Sequence, residues 1–179
     1  MTDISRGPAE RSPRLMIMKL DRALKGRWRN PMPSTHLSLH VHVVFSTKNR
    51  YPFITHEWRE RLHAFLGGAI RAAGCIPESV GGTDDHVHLL IGIRATHCVA
   101  DMTRDIKHVS SKWIHETIGN KKFGWQDGYG AFTVSAAQLD AVKEYIRNQA
   151  EHHRKRTFEE EYVDFLKRAE VDYEEKYLW

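Results

Sequence analysis

The stretch Leu37-Ser38-Leu39-His40-Val41-His42-Val43-Val44-Phe45-Ser46-Thr47 constrains this chain more than any other. Its period of two and its β-branched residues predict a strand with an apolar side to bury. The rest of the chain supplies cover and neighbours. Leu62, Phe65, Leu66 and Ala69 recur at helical spacing, predicting a helix over Glu57 to Ala73, with Thr55 as N-cap and Gly74 as stop. Ile76 to Val80 predicts a second strand, 81–85 a turn cluster, and His86 to Ile93 a third strand that forms a hairpin with the second. Ala100 to Thr117 reads as a second long helix with Met102, Ile106, Val109 and Trp113 as its apolar stripe, and with Arg104, His108, Ser111 and His115 on another face. A short fourth strand falls at Ala131 to Val134. Ser135 and Gln138 have capping-box spacing and open a helix to about His153, with Leu139, Val142 and Ile146 as its buried row. Thr157-Phe158-Glu159-Glu160 opens a last, acidic helix. The order strand, helix, strand, strand, helix, strand is that of an α+β, ferredoxin-like (RRM-like) βαββαβ fold. It predicts an antiparallel sheet with both long helices on one face, the first and third strands as central neighbours, and a C-terminal helix after the fourth strand.

Composition bounds the function classes. The 179 residues suit one domain, and 41% apolar with 28% charged residues is a globular balance. No run approaches the ~18 apolar residues needed to span a membrane, and no secretory signal is visible, so the cytoplasm is the expected location. Cys75 and Cys98 are the only cysteines, without a CxxC, which excludes a disulfide scaffold and a zinc finger. The positive charge is concentrated in residues 1–33, where eight basic residues face three acidic ones; the remainder is nearly neutral. We expect a basic arm without regular structure over 1–33, apart from a short helix near Leu15–Leu24, a domain over 34–156 and an acidic helix or tail over 157–179. A basic arm favours polyanions through counterion release.

The count of 12 histidines is unusual, and their placement is informative. On a strand, His86 and His88 of His86-Val87-His88 project to the same face, about 7 Å apart along the backbone. Two imidazoles so placed can share one metal ion, although alone the pattern also fits incidental strand histidines. His40-Val41-His42 repeats it, with His36 further along the same face if the strand extends that far. The two pairs form either one four-histidine cluster or a site at the second pair alone. Far along the chain, Tyr145 and Gln149 lie four residues apart and share a helix face beside Ile146.

Together, His86-Val87-His88 and Tyr145-x-x-x-Gln149 are a histidine–hydrophobic–histidine (HUH) motif followed by a helical tyrosine and glutamine. Here the chain resembles the single-tyrosine HUH transposases of the insertion-sequence 200/605 family. The resemblance runs from about His36 to Arg154 and includes 42–50, 85–90 and 125–135. It implies that His86, His88 and Gln149 would ligate a divalent cation, Mg²⁺ or Mn²⁺. Tyr145 would be the nucleophile, and Asp85 would orient a histidine or else serve as a turn residue. The implied activity is metal-dependent nicking and transfer of single-stranded DNA through a 5′-phosphotyrosine. The implied partners are DNA with hairpins at element ends and a second copy of the chain, with active sites shared between subunits. A phosphodiester resists attack because its oxygens are negative, and a cation held by neutral ligands keeps its full charge for that phosphate. The covalent phosphotyrosine conserves the bond energy, consistent with the lack of a GxxxxGK[ST] loop.

Candidate phosphate contacts are Lys48, Arg50, Lys107, Lys112 and Arg154, the last within His152-His153-Arg154-Lys155-Arg156; a solvated charged surface is the plain alternative. Trp125, Tyr129 and Phe132 either stack on bases or pack in the core. Rival functions are a replication initiator or relaxase, a domesticated endonuclease acting on chromosomal repeats, a non-catalytic single-stranded nucleic-acid-binding module, and a zinc hydrolase using His40, His42, His86 and His88.

Overall fold

The computed structural model describes residues 36–153, 157–174 and 178. The basic arm, its expected short helix and Arg154 lie outside the described residues. The elements are β1 (Leu39–Ser46), α1 (His56–Ala72), β2 (Ile76–Gly82), β3 (His86–Ile93), α2 (Val99–Trp113), β4 (Gly130–Val134), α3 (Leu139–Arg147), α4 (Gln149–His152) and α5 (Phe158–Arg168). The four strands lie in the order β2-β3-β1-β4, and every pairing is antiparallel. β1 and β3 are central, as the element order predicts.

Alternation along these two strands divides the molecule. Val41, Val43 and Phe45 of β1 and Val87, Leu89 and Ile91 of β3 face one way. They pack on Trp58, Leu62, Leu66 and Ile70 of α1 and on Met102 and Ile106 of α2, forming the main core. The intervening residues face the other way, where Leu90, Val134 and Ile146 make a smaller apolar cluster under α3. The α1–α2 layer thus leaves the second face of the sheet to the C-terminal helices. His86 and His88 stand on that second face.

Several local expectations need correction. Gly81 and Gly82 belong to β2 rather than to the turn. The buried residues of α2 are Met102, Thr103, Ile106 and Ser110, followed by Ile114, while Val109 is 41% exposed. That row drifts away from Val109 because Ser110 sits in the core, where its hydroxyl accepts from Trp125 Nε1 at 2.9 Å and donates to Ile106 O at 2.7 Å. Trp125 is accordingly buried, and Tyr129 packs against the same core. Ser135 makes no side-chain bond to the backbone of the following turn, so the capping box there is not formed. Its hydroxyl instead meets the Gln138 side chain at 3.0 Å. The helix that follows is not continuous to His153: it ends at Arg147, and Asn148, at φ −95° and ψ 17°, separates it from α4. The box at Thr157 is complete, with Thr157 Oγ1 accepting from Glu160 N and Glu160 reaching back to Thr157 N.

Candidate functional site

The site is built on the diagonal between β1 and β3. His42 pairs with Leu90 and His88 with Val44, so the His42 and His88 side chains share the second face as diagonal neighbours. Their rings stack with centroids 5.1 Å apart, and His42 Nε2 lies 3.0 Å from His88 Nδ1. His86 follows along β3, with its ring 5.0 Å from that of His88. His86 and His88 are both 0% exposed. His40 does not join them. It turns toward the β2 edge, where its Nε2 is 3.9 Å from Glu78. The four-histidine cluster is therefore not formed, and with it goes the ligand set of the zinc-hydrolase reading. His36 precedes β1, which begins only at Leu39.

His86 is oriented from behind. Its Nδ1 donates to Asp85 Oδ1 at 2.6 Å, with Thr83 Oγ1 3.1 Å away. Asp85 Oδ2 accepts from Arg50 Nη2 at 3.0 Å. Burial pushes the Asp85 carboxyl up, but the hydrogen bonds and charges of His86 and Arg50 outweigh it and hold the pKa at about 2. Asp85 is thus an anion fixed behind the ring. With Nδ1 carrying the proton, His86 Nε2 presents a lone pair to the site. His88 has the matching arrangement: Nδ1 is engaged by His42, and Nε2 is buried without a protein partner. Burial lowers the pKa of His42 to about 4 and drives that of His88 well below its usual value, so both rings are neutral.

Three further elements close over the sheet. α3 lies on Gly81, where an added Cβ would stand 2.3 Å from Ile146 O. This close approach brings the Tyr145 ring edge-on to His88, with centroids 5.7 Å apart. Gln149, at the start of α4, is buried; its Nε2 donates to Glu161 Oε1 at 3.2 Å and its Oε1 has no partner among the described residues. Across the break at Asn148, Tyr145 packs on His88 while Gln149 is tied to Glu161 of α5. α5 then lays Phe158 on His86, rings stacked at 4.2 Å, and Phe165 against His42 at 5.3 Å and Tyr145 at 5.8 Å. Phe132 of β4 packs on Phe165 at 5.4 Å.

Two further residues stand here: His153, offered by the sequence only within the 152–156 stretch of candidate phosphate contacts, and Glu161, which the sequence did not single out. His153 Nε2 is 3.1 Å from His86 Nε2 and 3.2 Å from Glu161 Oε2. The donor atoms of His86, His153 and Glu161 lie within 4.8 Å of one another. Burial raises the Glu161 carboxyl to about 7 and, with the nearby His86, lowers His153 to about 4. A His-His pair and an acidic helix were visible as composition. What was not visible is that α5 folds back onto the sheet.

Among the described candidate phosphate contacts, only Arg50 stands at this site. Arg50 is committed to Asp85 and to Glu159, at 3.0 and 2.6 Å, with its guanidinium over Phe158. Lys107 donates to the carbonyls of Asp127 and Gly128 and lies over the Phe45 ring, on the α1–α2 side. Lys112 is exposed on α2, 3.9 Å from Glu116. Lys48 is exposed beyond β1.

No curated protein matches. A crystal structure of a protein assigned as a transposase from Deinococcus radiodurans R1 shares 22% identity and superposes with a TM-score of 0.53, covering 67% of this chain and 97% of that one. The structure of a REP-associated tyrosine transposase bound to a REP hairpin shares 12% identity, with a TM-score of 0.50 over 69% of this chain and 74% of that one. Both show the same α+β fold. The family model for IS200-like transposases matches residues 35–149, which takes in β1, the histidine pair of β3, Tyr145 and Gln149. The chain belongs to the IS200-like transposase family.

Proposed function

We propose that the chain nicks and rejoins single-stranded DNA through a covalent link to Tyr145. The observation that carries this reading is the seating of the Tyr145 ring on His88. In the step proposed, Tyr145 Oη bonds to the scissile phosphorus and the P–O3′ bond breaks. The phenolic proton is lost, the departing 3′ oxygen takes up a proton, and the 5′ phosphate stays on the tyrosine. A second 3′-OH reverses these changes at a new junction, with no nucleotide triphosphate consumed.

His86 Nε2, His88 Nε2 and Gln149 Oε1 would hold a divalent cation, Mg²⁺ or Mn²⁺. The two buried acceptors without protein partners, on His88 and Gln149, fit that role. When bound, the cation supplies charge withdrawal from a non-bridging phosphate oxygen. Asp85 fixes the His86 tautomer, and His42 does the same for His88. Hairpin DNA is the substrate proposed, by analogy with the REP hairpin bound by the structural neighbour. A dimer with shared active sites belongs to the same proposal, although Tyr145 already sits on the histidines of its own chain. With both histidines 0% exposed beneath α5, a phosphate reaches them only when α5 lifts.

The test is a denaturing gel with 5′- and 3′-labelled single-stranded oligonucleotides and Mn²⁺. The wild type should carry the 3′ fragment as a protein adduct, and Tyr145→Phe should lose the adduct while hairpin binding stays nearly unchanged. An adduct that persists in Tyr145→Phe would remove the tyrosine from this role. A wild type that binds hairpins but never forms an adduct would favour the non-catalytic binding module.

A further inference from the structure

The chain beyond the family match ends in a helix that reaches back to the histidine pair, and two of its residues bring metal-ligating atoms with it. We propose that His153 and Glu161 are ligands of the same divalent cation as His86, so that the cation fastens α5 to the sheet. The inference rests on the cation-binding reading above and extends it to two residues beyond the family match, grouped with His86.

The geometry argues for a shared ion. His86 and His153 point Nε2 atoms at each other across 3.1 Å, and Glu161 Oε2 stands 3.2 Å from His153 Nε2. Ligands about 2.0–2.1 Å from a tetrahedral ion stand roughly 3.3 Å apart, so these spacings are those of atoms on one coordination sphere. The His86 Nδ1 bond to Asp85 leaves Nε2 as an acceptor, and two imidazole nitrogens facing each other at this range share either a proton or a cation. The second, independent observation is the unpartnered pair beside them. His88 Nε2 and Gln149 Oε1 are both buried, on residues 0% and 1% exposed, and find no donor. Gln149 is tied to the cluster by its other amide atom, which donates to Glu161. Buried acceptors left unmade are costly, and a cation on His86, His153 and Glu161 puts positive charge on the residues that adjoin both, His86 beside His88 and Glu161 beside Gln149.

The donor set carries chemical information. Two imidazoles and a carboxylate suit first-row transition ions better than Mg²⁺, which prefers oxygen and water. Position on the chain carries the rest. His153 follows α4 and Glu161 lies on α5, so a bound ion ties these elements to β3. Occupancy of the site and docking of α5 then become one equilibrium.

Co²⁺ titration of the full chain tests this without any DNA. Its visible absorption reports the ligand field, and X-ray absorption fine structure counts the imidazoles. The expected result is one imidazole fewer in His153→Ala than in the wild type. Affinity for Co²⁺ should fall by about 10–100-fold in Glu161→Gln, a loss of the size that metal-site substitutions produce. Hydrogen exchange over 158–168 should slow on adding Co²⁺ to the wild type and not to Glu161→Gln, which is isosteric and keeps the fold. Unchanged affinity and imidazole count in both variants, with His86→Ala losing the ion, would overturn the proposal and leave the HUH site standing. Co²⁺ binding that also survives His86→Ala would overturn the cation reading itself.

Discussion

At the residue scale, the site depends on which ring nitrogen carries a proton, and Asp85 decides this for His86. Its Oδ1 accepts from Nδ1, and the opposite oxygen is held by Arg50. An asparagine at 85 keeps the shape but removes the charge, and it can offer an amide donor to Nδ1, favouring the wrong tautomer. Asp85→Asn should therefore weaken Co²⁺ binding by about 10–100-fold with the fold intact. Calorimetric titration beside far-UV circular dichroism checks this, and undiminished affinity would reduce Asp85 to a turn residue. His86, His88, Tyr145 and Gln149 stood out before the fold, because a strand period and a motif carry them; the structure sets Tyr145 against His88 and buries Gln149. Asp85 was legible only as one of two alternatives. His153 and Glu161 were not legible as site residues, because nothing local fixes the path of the chain between α4 and α5. Ser110 was hidden for another reason: a serine reads as a surface residue, and only the buried indole of Trp125 explains its place in the core.

At the element scale, the strands, the two long helices and the sheet order followed from periodicity, since each has an unbroken apolar face. The helix expected from Ser135 to His153 failed where side-chain pattern and backbone parted. Nothing in the side-chain pattern marks Asn148, yet its backbone, at φ −95° and ψ 17°, leaves the helical region and separates α3 from α4. The angle of α3 is set instead by β2. Gly81 pairs with His88, and Ile146 O rests on it so closely that a methyl group would stand 2.3 Å away. The obstacle is backbone, so the helix itself must move. Gly81→Ala should destabilise the fold by about 1–3 kcal/mol, the usual cost of overpacking. It should also slow adduct formation by up to about 100-fold, because Tyr145 adjoins Ile146 and small misplacements of a reacting group are expensive. Denaturant midpoints and single-turnover gels measure the two effects separately. A loss of stability with wild-type adduct formation would show that α3 does not position the tyrosine.

At the scale of the whole molecule, the sheet works as a partition. One face is sealed by α1 and α2 and gives the domain its main core; the other is covered more lightly, by helices whose contacts are aromatic and polar. Stability and chemistry are thereby placed on opposite sides of two shared strands, and Val-His alternation in β1 and β3 serves both. The charge is divided too. The folded body is nearly neutral, Arg50 and Lys107 are bound internally, and the excess of basic residues sits in 1–33. General attraction for DNA should then reside in that segment, apart from the chemistry. Binding that neutralises phosphates releases counterions, so log affinity falls with log salt by about 0.7 for each contact on single strands. Deleting residues 1–33 should flatten this dependence and weaken non-specific binding, while adduct formation at saturating DNA stays near the wild-type rate. Filter binding across a salt series, with single-turnover gels at saturation, separates the two. An equal loss of both would mean that the segment takes part in the site, and the separation of attraction from chemistry would fail.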